Sequence, residues 1–443
     1  MLSPDPPVPA APALESSEEA FAQIATSGYR ERRGEDNDSV PEWRSVALMP
    51  LSDEQIMVFV RSQGVVDPER LLDDLRRRNA QEFARRPQDL IELCADWCEQ
   101  KRIRTHRDQV ATNIRVKLLP RDDRREPAEL SVDKAIEGAS RLALAMQVMR
   151  RLTIRHSAAS DIVDGEAALD PAVILSDWQS NERKALLERP LFGFASYGRV
   201  RFHHRSVAEF LAAERLRILR DRGMSFRAVR RLLFAETKGK IIVRPSKRAV
   251  VGWLALQEEG IFELLRDNEP AVLLDEGDPE SLTQAQRNQA LRAYSYRYGL
   301  GGWRGLQVPH IQIHRFASEE LAGEIDRIWR NGVENPDVRE VLIGLIEAGR
   351  IYACADIAYH HAWNAEACAL ERVMSLDALV SLDDERLSEI SSAIASADDL
   401  WPDRVARSAV GRLFPKYMSI EQLCQTLRWV KPKGRGIGDL DWQ

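Results

Sequence analysis

Residues 191–219 constrain the fold of this chain more than any other stretch, because the hydrophobic pattern changes period partway along them. The stretch opens with two short runs rich in aromatic and β-branched residues, at positions 191–194 and 199–204. The four residues between these runs end in Gly198. Two such runs around a short turn predict a β-hairpin.

Behind the predicted hairpin the pattern becomes helical. Val207, Phe210 and Leu211 recur at the spacing of one helix face, and residues 214–219 continue the pattern. Ser206 stands where the N-cap of this helix is expected, since a serine hydroxyl accepts hydrogen bonds from free backbone N–H groups. A hairpin that feeds a helix, with further helices before it, predicts a winged-helix unit.

Residues 202–213, Phe-His-His-Arg-Ser-Val-Ala-Glu-Phe-Leu-Ala-Ala, also carry a family resemblance. They resemble the Phe-x-His-x-x-x-Gln-Glu-Phe-hydrophobic-Ala-Ala signature of the NACHT group of STAND NTPases, which spans the wing and the last helix of a winged-helix domain. Aligning Glu209 and Phe210 places His204 on the family histidine. That histidine reaches the β-phosphate of bound ADP and helps to hold a closed resting state. Ala208 replaces the usual glutamine.

An imidazole at position 204 suits the implied role. Its N–H donates a hydrogen bond to phosphate, and its protonated form adds a positive charge. The alternative is that His204 alternates outward on a strand and contacts nothing. His204 is therefore the first candidate site residue, with both interpretations open.

A second candidate comes from two earlier segments, residues 48–56 and 86–93. They resemble the small helical domain of NACHT proteins, in which a proline packs near the adenine, and Pro87 is the matching residue. Pro87 also suits the first position of a helix, and the two roles are compatible.

The third candidate is Arg30. Residues 26–30, Thr-Ser-Gly-Tyr-Arg, resemble the Thr-Ser-Arg strand end that carries the sensor arginine of NACHT proteins, with Gly28 in the place of that arginine. Arg30 is the candidate substitute. The alternative is an ordinary loop arginine.

The chain lacks the motif on which nucleotide hydrolysis depends in this family. A P-loop needs G-x-x-x-x-G-K-[ST], because backbone N–H groups hold the phosphates while the lysine and the hydroxyl handle charge and Mg²⁺. No such run occurs in the sequence. Residues 271–276 superficially resemble a Walker B strand, but they follow the predicted winged helix, and we interpret them as the end of a buried helix or a chance match. The chain alone is predicted not to be an enzyme and not to bind a cofactor. The resemblance implies binding of ADP or ATP with Mg²⁺ only when a P-loop core outside this chain is present.

The surrounding patterns divide the chain into four regions. Residues 1–45 are predicted to be a mobile Pro- and Ala-rich tail with a remnant of the NTPase core, 46–125 a small helical domain, and 126–220 the winged-helix domain, which includes a long helix over 132–154. In residues 221–443, apolar helices repeat without strands at a loose period of about 40 residues, which predicts a HEAT-like α-solenoid. The predicted fold class is mainly α.

Two histidine pairs are weak candidates for metal ligands. His310 and His314 have i, i+4 spacing, but alternating isoleucines predict a strand or extended loop, in which the two would not share a helical face. His360 and His361 are adjacent, which sends their rings to different sides. We expect neither pair to bind a metal.

The cysteines and the hydropathy pattern indicate the cellular compartment of the protein. The odd set of Cys94, Cys98, Cys354, Cys368 and Cys424 is typical of reduced thiols in a cytoplasm. Cys94 and Cys98 lie one helical turn apart without a second ligand pair, which favours core packing over metal binding. No window approaches 18 apolar residues, and the N-terminal residues lack a basic region followed by an apolar one, so we expect a cytoplasmic protein without membrane contact.

The resemblance implies the non-catalytic regulatory and sensor portion of a STAND-type signalling ATPase, of a kind associated with bacterial antiviral defence. A protein partner or sensed ligand is expected on the helical repeats, with self-association on activation. The last residues, 438–443, carry no cap for a solenoid, which suggests a truncated product.

The alternative function is a winged-helix nucleic-acid-binding protein on a helical scaffold. It needs a basic helix to enter a groove, and Arg215, Arg217 and Arg220 offer one. The net charge of −6 gives the whole chain no general attraction for nucleic acid.

Overall fold

The computed structural model describes residues 51–77, 84–85, 87–100, 105–120, 126–157, 168–195, 198–302, 304–397 and 400–430. These residues are mainly helical, which confirms the predicted mainly α class. They belong to one compact unit that begins at Leu51. None of their helices is both long enough and apolar enough to cross a bilayer.

The helices are α1 (Asp53–Ser62), α2 (Pro68–Arg77), α3 (Pro87–Gln100), α4 (His106–Lys117), α5 (Val132–Met149), α6 (Pro171–Ile174), α7 (Ser180–Leu187), α8 (Arg205–Asp221), α9 (Phe226–Leu233), α10 (Arg248–Ala255), α11 (Glu259–Asn268), α12 (Ala271–Asp275), α13 (Gln284–Tyr298), α14 (His310–Phe316), α15 (Ala322–Arg330), α16 (Pro336–Ala348), α17 (Ala355–Trp363), α18 (Ala369–Ser381), α19 (Leu387–Ala395), α20 (Asp403–Leu413) and α21 (Ile420–Trp429). The strands are β1 (Thr153–Arg155), β2 (Ala168–Leu169), β3 (Phe192–Ala195), β4 (Arg199–Phe202), β5 (Phe234–Thr237) and β6 (Lys240–Val243).

Polar side chains cap the first turn of many of these helices. Ser52 accepts a hydrogen bond from the Gln55 N–H, and the Gln55 side chain accepts one from the Ser52 N–H, which together form a capping box. The Asp67 carboxylate accepts a hydrogen bond from the Arg70 N–H at 3.2 Å, just before α2. Such caps satisfy first-turn N–H groups and contribute about 1 kcal/mol each.

Two hydrophobic cores form in the described residues. The smaller packs α1, α2 and α3 around Ile56, Leu71 and Leu90. The larger runs without a break from Val110 in α4 to Met418, just before α21. Helix α4, which the sequence assigns to the small helical domain, therefore contributes its apolar face to the larger core.

The predicted hairpin is confirmed and is part of a four-stranded sheet with the order β2-β1-β4-β3. Phe192 in β3 lies opposite Phe202 in β4, and their ring centroids are 4.7 Å apart. Strand β1 pairs with the other edge of β4, with Ile154 opposite Val200. Helices α5 and α8 pack against each other, and their buried residues share one core with those of this sheet.

The long helix predicted over residues 132–154 ends at Met149, so its last turn is predicted wrongly. Arg150 adopts a left-handed conformation with φ of 54°, which stops the helix. Ile154 then belongs to β1 and is fully buried by its pairing with β4. The pairing joins residues far apart in sequence, and this long-range contact overrides the local helical pattern.

A second hairpin, β5–β6, lies in the region that was predicted to contain no strands, and that prediction is wrong. Its two-residue turn places Lys238 at φ of 51° and Gly239 at φ of 71°. Positive φ at both positions is the geometry of a type I′ turn, whose twist matches that of paired strands. The Lys-Gly pair before the β-branched residues of β6 is the local signal for this hairpin.

Beyond α10, many of the helices contact the helix two places further along, which arranges them in two rows. One row is α12, α14, α16, α18 and α20; in the other, α11 contacts α13, α13 contacts α15, and α19 contacts α21. Side-chain hydrogen bonds join helices in these rows between residues that lie 30 to 35 positions apart. They link Arg292 with Glu324, Tyr359 with Glu389, and Arg412 with Asp377. This spacing is shorter than the period of about 40 residues expected from the sequence.

Arg189 joins the segment before the hairpin to two other parts of the larger core. The side chain is fully buried, and its Nε and Nη2 donate to both carboxylate oxygens of Glu126 at 3.1 and 2.8 Å. It also donates to the carbonyls of Leu118 and Leu130. Because guanidinium and carboxylate are both withdrawn from water, each depends on the other for stability.

We predict that Arg189→Met lowers the free energy of unfolding by about 3–5 kcal/mol, because the carboxylate of Glu126 loses its charged partner in a mostly buried position. Chemical denaturation measures the change. Arg61→Met is the matched control, since the exposed Arg61–Glu69 pair contributes about 0–1 kcal/mol. Equal losses in the two variants would contradict the structural role of Arg189.

A pair of helical glycines gives a second prediction. A Cβ at Gly138 in α5 would lie 2.6 Å from the Trp178 ring and 2.8 Å from Leu186, whereas a Cβ at Gly411 in α20 meets nothing within 4 Å. Gly138→Ala should therefore lower the free energy of unfolding by about 1–3 kcal/mol. Gly411→Ala should raise it by up to about 1 kcal/mol, because alanine is the better helix former. Thermal or denaturant unfolding distinguishes the two, and a stabilising Gly138→Ala would show that this packing is wrong.

Candidate functional site

The first hairpin delivers a pair of histidines to the start of α8. Strand β4 ends at Phe202, His203 and His204 follow, and α8 begins at Arg205. His204 is the N-cap residue, with an extended backbone at φ of −124° and ψ of 134°. The prediction of Ser206 as the N-cap is wrong, because the helix begins directly behind the paired strand and takes Ser206 into its first turn.

His204 leaves the start of α8 uncapped by a side chain. The imidazole makes no capping hydrogen bond, and the residue is exposed. First-turn N–H groups of a helix have no partner within the helix, and the helix dipole adds about half a positive charge there. An imidazole beside such N–H groups can donate hydrogen bonds to a phosphate oxygen. The position is compatible with the role that the resemblance implies.

His203 has a different environment from His204. Its backbone N–H donates to the Leu191 carbonyl at 3.2 Å, and its ring lies over Gly193, where a Cβ would come within 2.8 Å of the imidazole. His203 is exposed like His204, but partial desolvation of its ring, with the charges of Lys117, His204 and Arg201, lowers the pKa of His203. His203 therefore packs against the hairpin, and Gly193 is a supporting residue that the sequence analysis missed.

The other two predicted site residues lie elsewhere. Pro87 is the first residue of α3 and is exposed, which confirms that it begins a helix. It belongs to the helices of the smaller core, whereas His204 begins a helix of the larger one. Arg30 lies outside the described residues. The assembly of Pro87, His204 and Arg30 into one nucleotide site stays a prediction.

The three arginines of α8 that a nucleic-acid interface would use are each paired with a carboxylate. The pairs are Arg215–Glu137 at 3.6 Å, Arg217–Asp221 at 3.0 Å and Arg220–Glu258 at 3.6 Å. Arg215 is also largely buried, and burial lowers its pKa. Paired arginines offer little charge to a phosphate backbone, so this face of α8 is poorly suited to a DNA groove.

Asp275 and Glu276, the acids of the stretch that resembles a Walker B strand, both contact Arg248. Residues 271–275 form α12, which confirms their interpretation as a helix. Arg248 Nη2 contacts Asp275 at 2.8 Å, and its Nε lies 3.7 Å from Glu276. Burial raises the pKa of Asp275 to about 6 and that of Glu276 to about 7. These acids anchor Arg248 between α10 and α12.

Of the two predictions about the geometry of the histidine pairs, the one for His310 and His314 is wrong and the one for His360 and His361 is confirmed. His310 and His314 lie in the helix α14 with ring centroids 4.5 Å apart, so the predicted strand or extended loop is wrong. Packing of Ile313 against Gly344 in α16 accounts for the helix at this position. His360 is exposed while His361 is buried, which confirms that adjacent rings point to different sides. Within the described ranges, no three His, Cys, Asp or Glu residues form a group suited to a metal.

A polar cluster that the sequence analysis missed joins α16, α17 and α18. Arg339 Nε donates to Glu371 Oε1 at 2.5 Å, and His361 Nε2 lies 3.6 Å from the same oxygen. Burial opposes ionisation of Glu371, but contacts with His361, Arg339 and the Cys368 N–H outweigh it and lower the pKa of Glu371 to about 2. No local sequence motif predicts the cluster, because its members come from three helices.

No family model, curated protein or solved structure matches the chain. The relation to NACHT proteins therefore stays a resemblance of the residues described above.

The raised pKa of Glu276 predicts a pH-dependent stability. Because its folded value of about 7 exceeds the ordinary 4.5, its contribution is fully present below pH 4.5 and is lost as the pH rises through 7. Glu276→Gln should therefore reduce the fall in unfolding free energy between about pH 5 and pH 8. Denaturant titrations at both pH values measure this, with the exposed Glu236→Gln as the control. An unchanged fall in Glu276→Gln would contradict the assignment.

Proposed function

We propose that this chain is the non-catalytic regulatory and sensor portion of a STAND-type signalling ATPase, with a place in cytoplasmic antiviral defence. In this proposal His204 contacts the β-phosphate of ADP when a P-loop core is supplied, and Pro87 and Arg30 approach the same nucleotide. The observation that carries the proposal is the hairpin β3–β4, which leads through an exposed His204 into the uncapped start of the 17-residue helix α8.

The winged-helix part of the proposal is supported by the packing around this hairpin. Strands β1, β3 and β4 form one antiparallel set, and α8 packs on α5 and α4. A wing followed by a buried helix is the arrangement that the NACHT signature implies. The hairpin and α8, which include the signature residues 202–213, therefore support the proposal.

The sensor part of the proposal rests on the two rows of helices beyond α10. Helices that contact the neighbour two places along, with links repeating across 30 to 35 residues, are the pattern of a helical-repeat array. We propose that these rows form a solenoid that takes the sensed ligand or protein partner. Self-association on activation belongs to the same proposal.

Nucleic-acid binding by α8 is the less favoured function, because the arginines it would use are paired with carboxylates. Fluorescence anisotropy with duplex DNA at several salt concentrations discriminates between the two. Salt-dependent binding that is lost in an Arg215→Ala variant would favour the nucleic-acid function over the regulatory one.

The nucleotide proposal predicts weak ADP binding by this chain alone, with a dissociation constant of about 1 mM or weaker, since most nucleotide contacts come from the P-loop. Histidine-selective NMR should show the His204 resonance moving on ADP addition while His203 moves much less. His204→Ala removes the response, and His360→Ala, on another exposed surface, leaves it unchanged. Micromolar ADP affinity, or an ADP response that survives His204→Ala, would overturn the proposal.

A further inference from the structure

A cleft of about 360 Å³ opens between α15, α16 and α17. The residues that give it chemical character are Trp329, Arg339, His361, Asn364 and Glu366. It lies far along the chain from the first hairpin and uses none of the residues assigned to the nucleotide. Its volume is within the range of small-molecule sites in proteins.

The floor of the cleft contains a buried imidazole whose Nε2 faces a carboxylate at more than hydrogen-bond distance. His361 is only 6% exposed, and its Nε2 makes no hydrogen bond within the described structure. The nearest acceptor, Glu371 Oε1, is 3.6 Å away, which is beyond hydrogen-bond distance. The Trp329 ring meets the imidazole edge to face, with centroids 5.1 Å apart. Trp329 and His361 thus give the cleft an aromatic side, which suits a planar ligand.

Two further groups are positioned to donate hydrogen bonds into the cleft. Arg339 uses Nε for Glu371 and Nη1 for two backbone carbonyls of the preceding turn, which leaves Nη2 as its available donor among the described contacts. Asn364 accepts the Glu366 N–H through Oδ1 at 3.0 Å, so its amide NH₂ is left to donate. The exposed carboxylate of Glu366 supplies an acceptor at the rim.

The cleft has no net positive charge. The ionised carboxylate of Glu371 offsets the guanidinium of Arg339, and Glu366 adds a negative charge at the rim. An anionic ligand gains little net attraction, and a cationic ligand meets Arg339. A neutral ligand that accepts hydrogen bonds on one edge and donates them on another fits the lining best.

We propose that this cleft binds a neutral, planar nitrogen heterocycle with a ring carbonyl, the chemistry of an oxo-nucleobase or its nucleoside. The ring stacks on the indole of Trp329, its carbonyl oxygen accepts hydrogen bonds from Arg339 and Asn364, and a ring N–H donates to Glu366. The interpretation of this heterocycle as the ligand sensed by the helical rows rests on the sensor role proposed above. Binding itself is measured independently of that role and of His204.

Isothermal titration of the full chain with inosine and adenosine tests the proposal. The two nucleosides differ at the ring carbonyl, which adenosine replaces with an amino group, so inosine should bind at least about tenfold more tightly. Trp329→Leu should weaken inosine binding by about tenfold or more, and Trp329→Phe should retain most of it. Arg330→Ala, an exposed neighbour on α15, is the control and should bind as the unaltered chain does.

Thermal melting of each variant separates lost binding from lost folding, and Asn364→Ala provides a second variant at an exposed position. Equal binding of the two nucleosides, no inosine binding up to about 10 mM, or displacement of inosine by inorganic phosphate would each overturn the proposal. His204→Ala should leave inosine binding unchanged. Failure in the cleft and failure of the ADP contact are therefore distinguishable.

Discussion

The burial of α8 between α5 and α10 is the interaction on which the rest of this structure depends. One face of α8 packs on α5, and its other contacts reach α10. Phe210 of α8 meets Trp253 of α10 edge to face at 5.2 Å, and His106 of α4 lies against the same indole at 5.5 Å. Trp253 thus joins three helices, and the larger core continues through this contact from the sheet into the helical rows. Aromatic pairs of this kind add to the stability of the fold beyond what their buried apolar area contributes.

This packing fixes where a ligand at His204 would act. His204 directly precedes α8, so its backbone is held by β4 on one side and by a buried helix on the other. The same helix leads the core into the rows that contain the Trp329 cleft. The two proposed sites are therefore parts of one packed body, which is the physical condition for an event at one site to influence the other.

The sequence predicts elements whose causes are local and misses those set by distant contacts. The first hairpin, the capping box at Ser52 and the apolar face of α8 follow from residues close in the chain, and the structure contains all three. The strand at Ile154 needs β4 as its partner, and the helix at His310 needs α16 to pack against, so local periodicity is misleading at both. The cleft is missed for the same reason, because Arg339, His361 and Glu371 meet only after three helices have packed.

Hydrogen exchange of the amides in α5, α8 and α10 tests the central claim, that α8 unites the hairpin unit and the helical rows in one cooperative body. Buried helices that share a core exchange through the same opening reaction, so the slowest amides of the three should report one opening free energy. That energy should fall together in all three when Trp253 is replaced by leucine. Opening of α5 and α8 at a distinctly lower free energy than α10, or a loss confined to α10 when its Trp253 is replaced, would contradict the account.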